Sequence, residues 1–128
     1  MRALLGALLL AASACAVACP KAIDVGQAEL LGEWQAQVEG SAPVTMDLRK
    51  HPEYAESVRG FLVRDGRRID VVGDVDDGQL TLEESQDGKR ISAVWLGDVV
   101  EGSCGREIRG AWKAEGDARQ FQFVLRKL

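Results

Sequence analysis

The three cysteines are the residues with the most distinctive chemistry in this 128-residue chain. Cys15 and Cys19 lie close together near the N-terminus, and Cys104 lies far along the chain. A cysteine can pair as a disulfide, carry a lipid on its sulfur or act as a nucleophile, and the compartment decides among these outcomes. The chemistry of these cysteines therefore depends on the compartment in which the protein resides.

The N-terminal segment predicts export. Arg2 is the single charge among residues 1–19, an apolar stretch runs from Ala3 to Ala12, and small residues follow it. This order of features is typical of a secretory signal peptide. The apolar run is shorter than the ~20 residues that a transmembrane helix needs. We expect residues 1–14 to be removed as a signal peptide.

Two short segments resemble the lipobox of bacterial lipoproteins, in which small residues precede a cysteine that is lipidated and becomes the new N-terminus. They are Ala12–Cys15 and Ala16–Cys19, and both have Ala where the usual lipobox has Leu. The resemblance implies a lipid on Cys15 or Cys19 that holds the protein at a membrane of the cell envelope, facing the periplasm. Both segments also fit ordinary cleavage, which would leave a soluble periplasmic or secreted protein.

Cysteine parity favours a lipid on Cys15 and a disulfide between Cys19 and Cys104. Exported proteins meet an oxidising environment, where an unpaired thiol is a liability. With the lipid on Cys15 no thiol is left over, whereas a lipid on Cys19 leaves Cys104 alone. We therefore expect a lipidated N-terminus and tether over residues 15–29 and a folded domain over residues 30–128.

No arrangement of side chains predicts catalysis. His51 is the single histidine, and the chain has no Gly-x-Ser-x-Gly nucleophile elbow. Oxidising conditions favour pairing of Cys104 over a role as a nucleophile. The acidic run 73–78 fails the spacing of an EF-hand calcium loop. We expect neither an enzyme nor a metal or other cofactor.

Two sets of charged residues, one acidic and one basic, are expected on the surface. Glu83 and Glu84 are adjacent on a predicted strand, so their side chains point to opposite faces and cannot share a proton-transfer site. Arg64, Arg67 and Arg68 surround one predicted turn. Exposed arginines at a turn keep a sheet soluble, and contact with anionic lipid or an acidic partner protein is the alternative.

Beyond Leu30 the apolar residues recur with the period of two that β-strands require. The dipeptides Asp65-Gly66, Asp77-Gly78 and Asp87-Gly88 fall between apolar segments, and Asp-Gly favours a two-residue hairpin. Residues 22–31 are the segment that best fits a helix. The eight predicted strands are 33–39, 44–49, 57–64, 68–73, 79–83, 90–96, 107–113 and 120–123.

We predict an all-β domain, an eight-stranded antiparallel meander closed into a small barrel. Each strand has one apolar and one charged face, so an open sheet would expose either the core face or two edges, and closure removes both problems. A two-sheet β-sandwich is the alternative.

Gly32-Glu33-Trp34 opens the first predicted strand, and Arg126 lies on the last. This combination resembles the calycin superfamily of lipocalins, avidins and fatty-acid-binding proteins. The resemblance implies a calycin-like barrel with Trp34 beneath it, packed against an arginine of the final strand. In such a barrel Trp34, Trp95 and Trp112 would line a cavity for a small hydrophobic ligand. Packing of the same side chains into a solid core is the other interpretation.

The net negative charge of the chain limits which classes of molecule it is expected to bind. The chain has 16 Lys and Arg against 20 Asp and Glu, a formal net charge of −4, which argues against nucleic acid. We expect a cell-envelope lipoprotein that acts as a non-enzymatic binding module for a small hydrophobic molecule. An envelope-protein-binding module, such as an inhibitor of a lysozyme-type hydrolase, and a structural envelope component are the alternatives.

Overall fold

The computed structural model describes residue 6, residues 9–11 and residues 19–128. Most of the predicted signal peptide, and Cys15 as the predicted lipid site, lie outside the described residues. Within the described part, no helix is both long enough and apolar enough to cross a membrane.

The described chain is almost entirely β-structure, as predicted. A 3₁₀ turn, Ala22–Asp24, and one short helix, α1 (Gln27–Leu30), precede the first strand. The strands are β1 (Gly32–Val38), β2 (Val44–Lys50), β3 (Val58–Arg64), β4 (Arg67–Asp76), β5 (Gln79–Ser85), β6 (Ala93–Val99), β7 (Glu107–Ala114) and β8 (Phe121–Lys127).

The eight strands form a closed barrel, which confirms the predicted meander over the sandwich. Each strand pairs antiparallel with the next, and β8 pairs with β1 to complete the ring. Trp34 shows the closure directly, because it is opposite Met46 on β2 and opposite Lys127 on β8. Closure pairs the backbone groups of both edge strands and so leaves no free sheet edge.

Alternation of side chains along each strand builds the core. On β1, Trp34, Ala36 and Val38 are buried and point inward, while Glu33 and Gln35 are exposed. The same period of two continues on the other strands. The largest apolar side chains that are fully buried are Trp34, Trp95, Phe123, Leu30, Met46, Leu48, Leu62, Leu80, Leu82, Ile108 and Leu125.

Two of the three predicted Asp-Gly hairpins are confirmed. Asp65 and Gly66 have φ values of 52° and 74°, and Asp77 and Gly78 have 49° and 76°. Positive φ at both central residues is the signature of the type I′ turn that suits twisted strands. The prediction for Asp87-Gly88 is wrong, because β5 and β6 are joined by a longer loop over 86–92. There the Asp87 carboxylate accepts hydrogen bonds from the backbone N–H groups of Lys89 and Arg90.

A close approach between β6 and β7 depends on glycine. Gly97 and Gly110 are directly opposite each other and both occupy inward positions. A Cβ on Gly110 would collide with the backbone of Leu96 and of Gly97 itself. Glycines at such positions let a sheet bend sharply enough to close into a small barrel.

The N-terminal segment seals one end of the barrel. We call this the sealed end; β1 begins and β8 ends there. Leu30 of α1 is 1% exposed, and its carbonyl accepts a hydrogen bond of 2.9 Å from the indole N–H of Trp34. Gln27 donates to the carbonyl of Ser57, which lies just before β3. The Gly26 N–H donates to the Glu29 carboxylate and so satisfies a free donor at the start of α1.

A disulfide between Cys19 and Cys104 fastens this segment to the loop between β6 and β7, as predicted. The two residues are separated by 85 positions in sequence. Linking them ties the start of the described domain to its opposite half, and a loop of this length gives a large reduction in the entropy of the unfolded chain.

The residue that packs against Trp34 is Lys127, not its neighbour Arg126 as predicted. Arg126 is exposed and its guanidinium donates to the carboxylate of Glu107 on the outer surface. Lys127 instead points inward, with its ammonium 5.6 Å from the centre of the Trp34 ring and 2.6 Å from the Glu29 carbonyl. Neighbouring residues on a strand face opposite sides, so a one-residue shift exchanges the inner and outer cation. Burial lowers the pKa of Lys127, and the charge of Arg106 adds to this effect.

Candidate ligand site at the open end of the barrel

No helix among residues 19–128 covers the end of the barrel opposite the N-terminal segment, and we call this end the mouth. It carries the turns between β1 and β2, β3 and β4, β5 and β6, and β7 and β8. A recess of about 350 Å³ enters the mouth between the first two of these turns. We call it the mouth recess; its lining residues are Ala36, Val38, Gly40, Ser41, Ala42, Val44, Arg64 and Asp65.

Small side chains at the start of the barrel create the mouth recess. Ala36 and Val38 point inward from β1 and form buried parts of its wall, and Val44 of β2 is half-buried. Ser41 holds the rim in place, because its N–H donates to the Val38 carbonyl and its own carbonyl accepts from the Gln37 side chain. The result is a recess between two turns, with a wall of small apolar side chains and a polar rim that includes the exposed Asp65.

The guanidinium of Arg64 is the cation of this recess. Arg64 is at the inward position that ends β3, and its side chain is 27% exposed. Nη1 donates to Oε1 of Glu84 over 2.7 Å, and Nη2 donates to Oε2 over 3.2 Å. A guanidinium has five N–H donors, so this pair leaves donors for a further acceptor. The expectation that Arg64 is only a surface charge is therefore wrong, whereas Arg67 and Arg68 are exposed.

Glu84 is the centre of a buried polar cluster. Its side chain is 1% exposed, which corrects the prediction that both Glu83 and Glu84 lie on the surface; Glu83 does. Besides Arg64, its carboxylate accepts the indole N–H of Trp95 over 2.8 Å and that of Trp112 over 2.6 Å. A buried carboxylate is stable when its acceptor sites are filled in this way.

The three tryptophans lie in two separate places. Trp34 is at the sealed end, whereas Trp95 and Trp112 are opposite each other on β6 and β7 and share Glu84. Trp95 is fully buried and packs edge-to-face on Phe123 at 4.9 Å between ring centres. Trp112 is partly exposed and lies 5.3 Å beneath the Arg64 guanidinium. None of the three lines the mouth recess, and Trp112 is connected to it through Arg64.

The alternation of inward and outward residues along β3 and β5 could have indicated that Arg64 and Glu84 point into the barrel. Glu84 is in phase with the inward residues Leu80 and Leu82, and Arg64 is in phase with Val58 and Leu62. A charged residue on the inward face of each of two strands predicts an internal ion pair, because a single buried charge is costly. The two residues lie on strands that both pair with β4, and only the closed barrel shows that their side chains meet inside it.

The mouth also holds an exposed ion pair at the turn between β7 and β8. The guanidinium of Arg119 donates to the carboxylate of Asp117, with Nη2 and Oδ2 2.9 Å apart. This hydrogen bonding, with a further bond from the Arg119 backbone N–H, lowers the pKa of Asp117 to about 2. Such a local pair stabilises the turn.

His51 has a structural role in the loop between β2 and β3. Its Nδ1 accepts hydrogen bonds from the backbone N–H groups of Glu53 and Tyr54, at 3.0 and 3.1 Å. Across residues 19–128 and the few described before them, no group of three or more His, Cys, Asp or Glu side chains is arranged to hold a metal ion.

No protein-family model matches the chain, and no curated protein sequence matches it significantly.

Proposed function

We propose that the protein is a non-enzymatic binding module for a small, mainly apolar molecule, and that the mouth recess is its binding site. The observation that carries this proposal is the combination of a small apolar wall, formed by Ala36, Val38 and Val44, with one half-buried guanidinium, while the single acid of the lining, Asp65, lies at the exposed rim. Binding sites for small molecules are commonly concave and apolar, with a few fixed polar groups that orient the ligand.

The packing behind the mouth recess limits the size of the ligand. Trp95, Phe123 and Leu62 are each 1% exposed or less, and they fill the interior beyond Ala36. A long acyl chain would have to displace this core, and displacing close-packed side chains is costly. The recess suits a short aliphatic or single-ring compound.

The ion pair at Arg64 favours a ligand with an acceptor group, such as a carboxylate. Glu84 and the Trp112 ring hold the guanidinium in one orientation, so little side-chain entropy is lost when a ligand binds. A guanidinium with spare donors prefers a planar, charged acceptor. We therefore expect short carboxylic acids to bind better than the corresponding alcohols.

The location that we propose is the cell envelope, with a lipid on Cys15. The pairing of Cys19 with Cys104 supports this choice, because it leaves Cys15 as the remaining cysteine. Residues 16–18 would then span at most roughly 14 Å between the lipid and Cys19. So short a tether would hold the sealed end towards the membrane and turn the mouth towards the surrounding compartment.

The test is calorimetric titration of the full chain, with its disulfide intact, with octanoate and with octanol. We expect saturable binding that is stronger for the acid. Ala42→Trp should abolish it by filling the recess, whereas Ala118→Trp, on a neighbouring turn of the mouth outside the recess, should leave it unchanged. Equal effects of the two variants, or no binding, would contradict the proposal.

A further inference from the structure

A second recess lies on the outer face of the barrel, away from the mouth. It lies across β2, β3 and β4 and has a volume of about 450 Å³. We call it the basic recess. Its charged lining consists of four cations and one acid: Arg49, Lys50, Arg59 and Arg68, with Asp47. This local excess of positive charge is notable because the chain as a whole has a formal net charge of −4.

Two of these cations face each other directly. Arg49 on β2 is opposite Arg59 on β3, so both side chains project from the same face of neighbouring strands. Like charges directly opposite each other destabilise a sheet. An anion bound between the two guanidinium groups would relieve this repulsion.

The two acids closest to the recess form ion pairs with arginines other than Arg59. Asp47 pairs with Arg49 at 3.2 Å, and Asp70 pairs with Arg68 at 3.4 Å. Arg59 takes part in none of the ion pairs formed among residues 19–128. The Arg59 guanidinium therefore has N–H donors that no ion pair among these residues occupies, although Asp70 and Glu83 line the groove on its other side.

One arginine of the recess is already held in place. The guanidinium of Arg68 lies 4.1 Å from the centre of the Phe61 ring, which also lines the recess. Stacking on an aromatic ring restricts a guanidinium and leaves its edge available for hydrogen bonds. The recess therefore combines a fixed guanidinium with one that forms no ion pair among residues 19–128.

We infer that the basic recess is a second ligand site, which binds a phosphate monoester group. Such a group has close to two negative charges and three acceptor oxygens, so it can accept from Arg59 and Arg68 together. The concave shape favours one discrete headgroup over a flat charged surface. The phosphate could belong to a free metabolite or to the headgroup of a lipid, and the chemistry of recognition is the same for both.

The test uses the full chain with its disulfide intact and two sources of phosphate. The soluble probe is glycerol 3-phosphate, followed through the side-chain NMR signals of the arginines. The membrane probe is vesicles of phosphatidylcholine containing phosphatidic acid, compared with vesicles of phosphatidylcholine alone. That difference cancels any contribution from a lipid anchor. Arg59→Gln is the test variant, and Arg67→Gln, an exposed arginine outside the recess, is the matched charge control.

We expect Arg59→Gln to weaken binding by about tenfold, while Arg67→Gln leaves it nearly unchanged. Saturable binding of the soluble probe with this pattern assigns the site to free phosphate esters. The same pattern with anionic vesicles alone assigns it to a lipid headgroup. Absence of binding to both probes, or equal weakening by the two variants, would overturn the inference, because equal weakening indicates only the general field of positive charge.

Discussion

Arg64 and Glu84 form a two-point ion pair inside the mouth of the barrel, with N–O distances of 2.7 and 3.2 Å. The pair connects the mouth recess with the buried tryptophan cluster. Arg64 lines the mouth recess, and Glu84 holds the indoles of Trp95 and Trp112. A ligand that contacts Arg64 is therefore coupled to the tryptophan cluster through a single carboxylate.

Removing the charge of Glu84 should destabilise the barrel. Glu84→Gln leaves the half-buried Arg64 without a counter-charge and offers a weaker acceptor to the two indoles. We expect a loss of about 2–3 kcal/mol in the free energy of unfolding, less than for a fully buried pair because Arg64 is partly exposed. Urea unfolding measures this loss. Glu83→Gln, on the opposite face of the same strand, should change stability by less than about 0.5 kcal/mol. Similar losses in both variants would contradict the role given to Glu84.

The disulfide should contribute strongly to stability. Replacing Cys19 and Cys104 together with Ser removes the link between the N-terminal segment and the loop after β6. For a loop of this length the expected loss is about 4 kcal/mol. Equilibrium unfolding of the double variant measures it, and chemical reduction of the wild-type protein is the control. The two treatments should give the same loss, and a variant as stable as the oxidised protein would contradict this account.

Barrel closure should be sensitive to Gly110. Gly110→Ala places a methyl group against the backbone of Leu96, and backbone cannot move aside as a flexible side chain can. We expect destabilisation of at least about 2 kcal/mol, which thermal or urea unfolding measures. Gly40→Ala is the comparison, since Gly40 lies in a turn at φ 78° with open space around it. The strain there should cost about 1–2 kcal/mol. A smaller effect at position 110 than at position 40 would argue against close packing of β6 and β7.

Stability should fall in acid through carboxylates that are hydrogen-bonded in the folded state. The pKa values of Asp87, Glu107 and Asp117 are all lowered, that of Asp117 to about 2. Because folding lowers these values, the stabilisation is fully present above the unfolded pKa near 4 and is lost as the pH falls towards 2. Thermal unfolding between pH 5 and pH 2 should show this decline. Asp117→Asn should reduce its slope, and an unchanged slope would contradict the assignment.

The strands could be predicted because burial on one face of a sheet imposes a period of two. The Asp-Gly turns at Asp65 and Asp77 were predictable from their need for positive φ. The loop at Asp87 was not, because its geometry depends on contacts of the Asp87 carboxylate with the residues that follow. Local sequence therefore identifies strands and tight turns better than longer connections.

The candidate site was less predictable than the fold. Side-chain phase places Arg64 and Glu84 inward, but only the assembled barrel shows that they meet. The choice between Arg126 and Lys127 at the sealed end depended on a register of one residue. The mouth recess is formed where side chains are small, and a sequence pattern does not indicate whether small residues leave a cavity or are covered by larger neighbours.

The most direct test of the central claim is an NMR titration of the ¹⁵N-labelled full chain with octanoate. We predict saturable shifts at the mouth, in Val38, Ala42 and Val44, with a coupled change at the indole N–H of Trp112. The indole N–H of Trp34, at the sealed end, should not move. Shifts centred on Trp34 and α1, or no saturable shift at the mouth, would contradict the claim that this protein binds its ligand there.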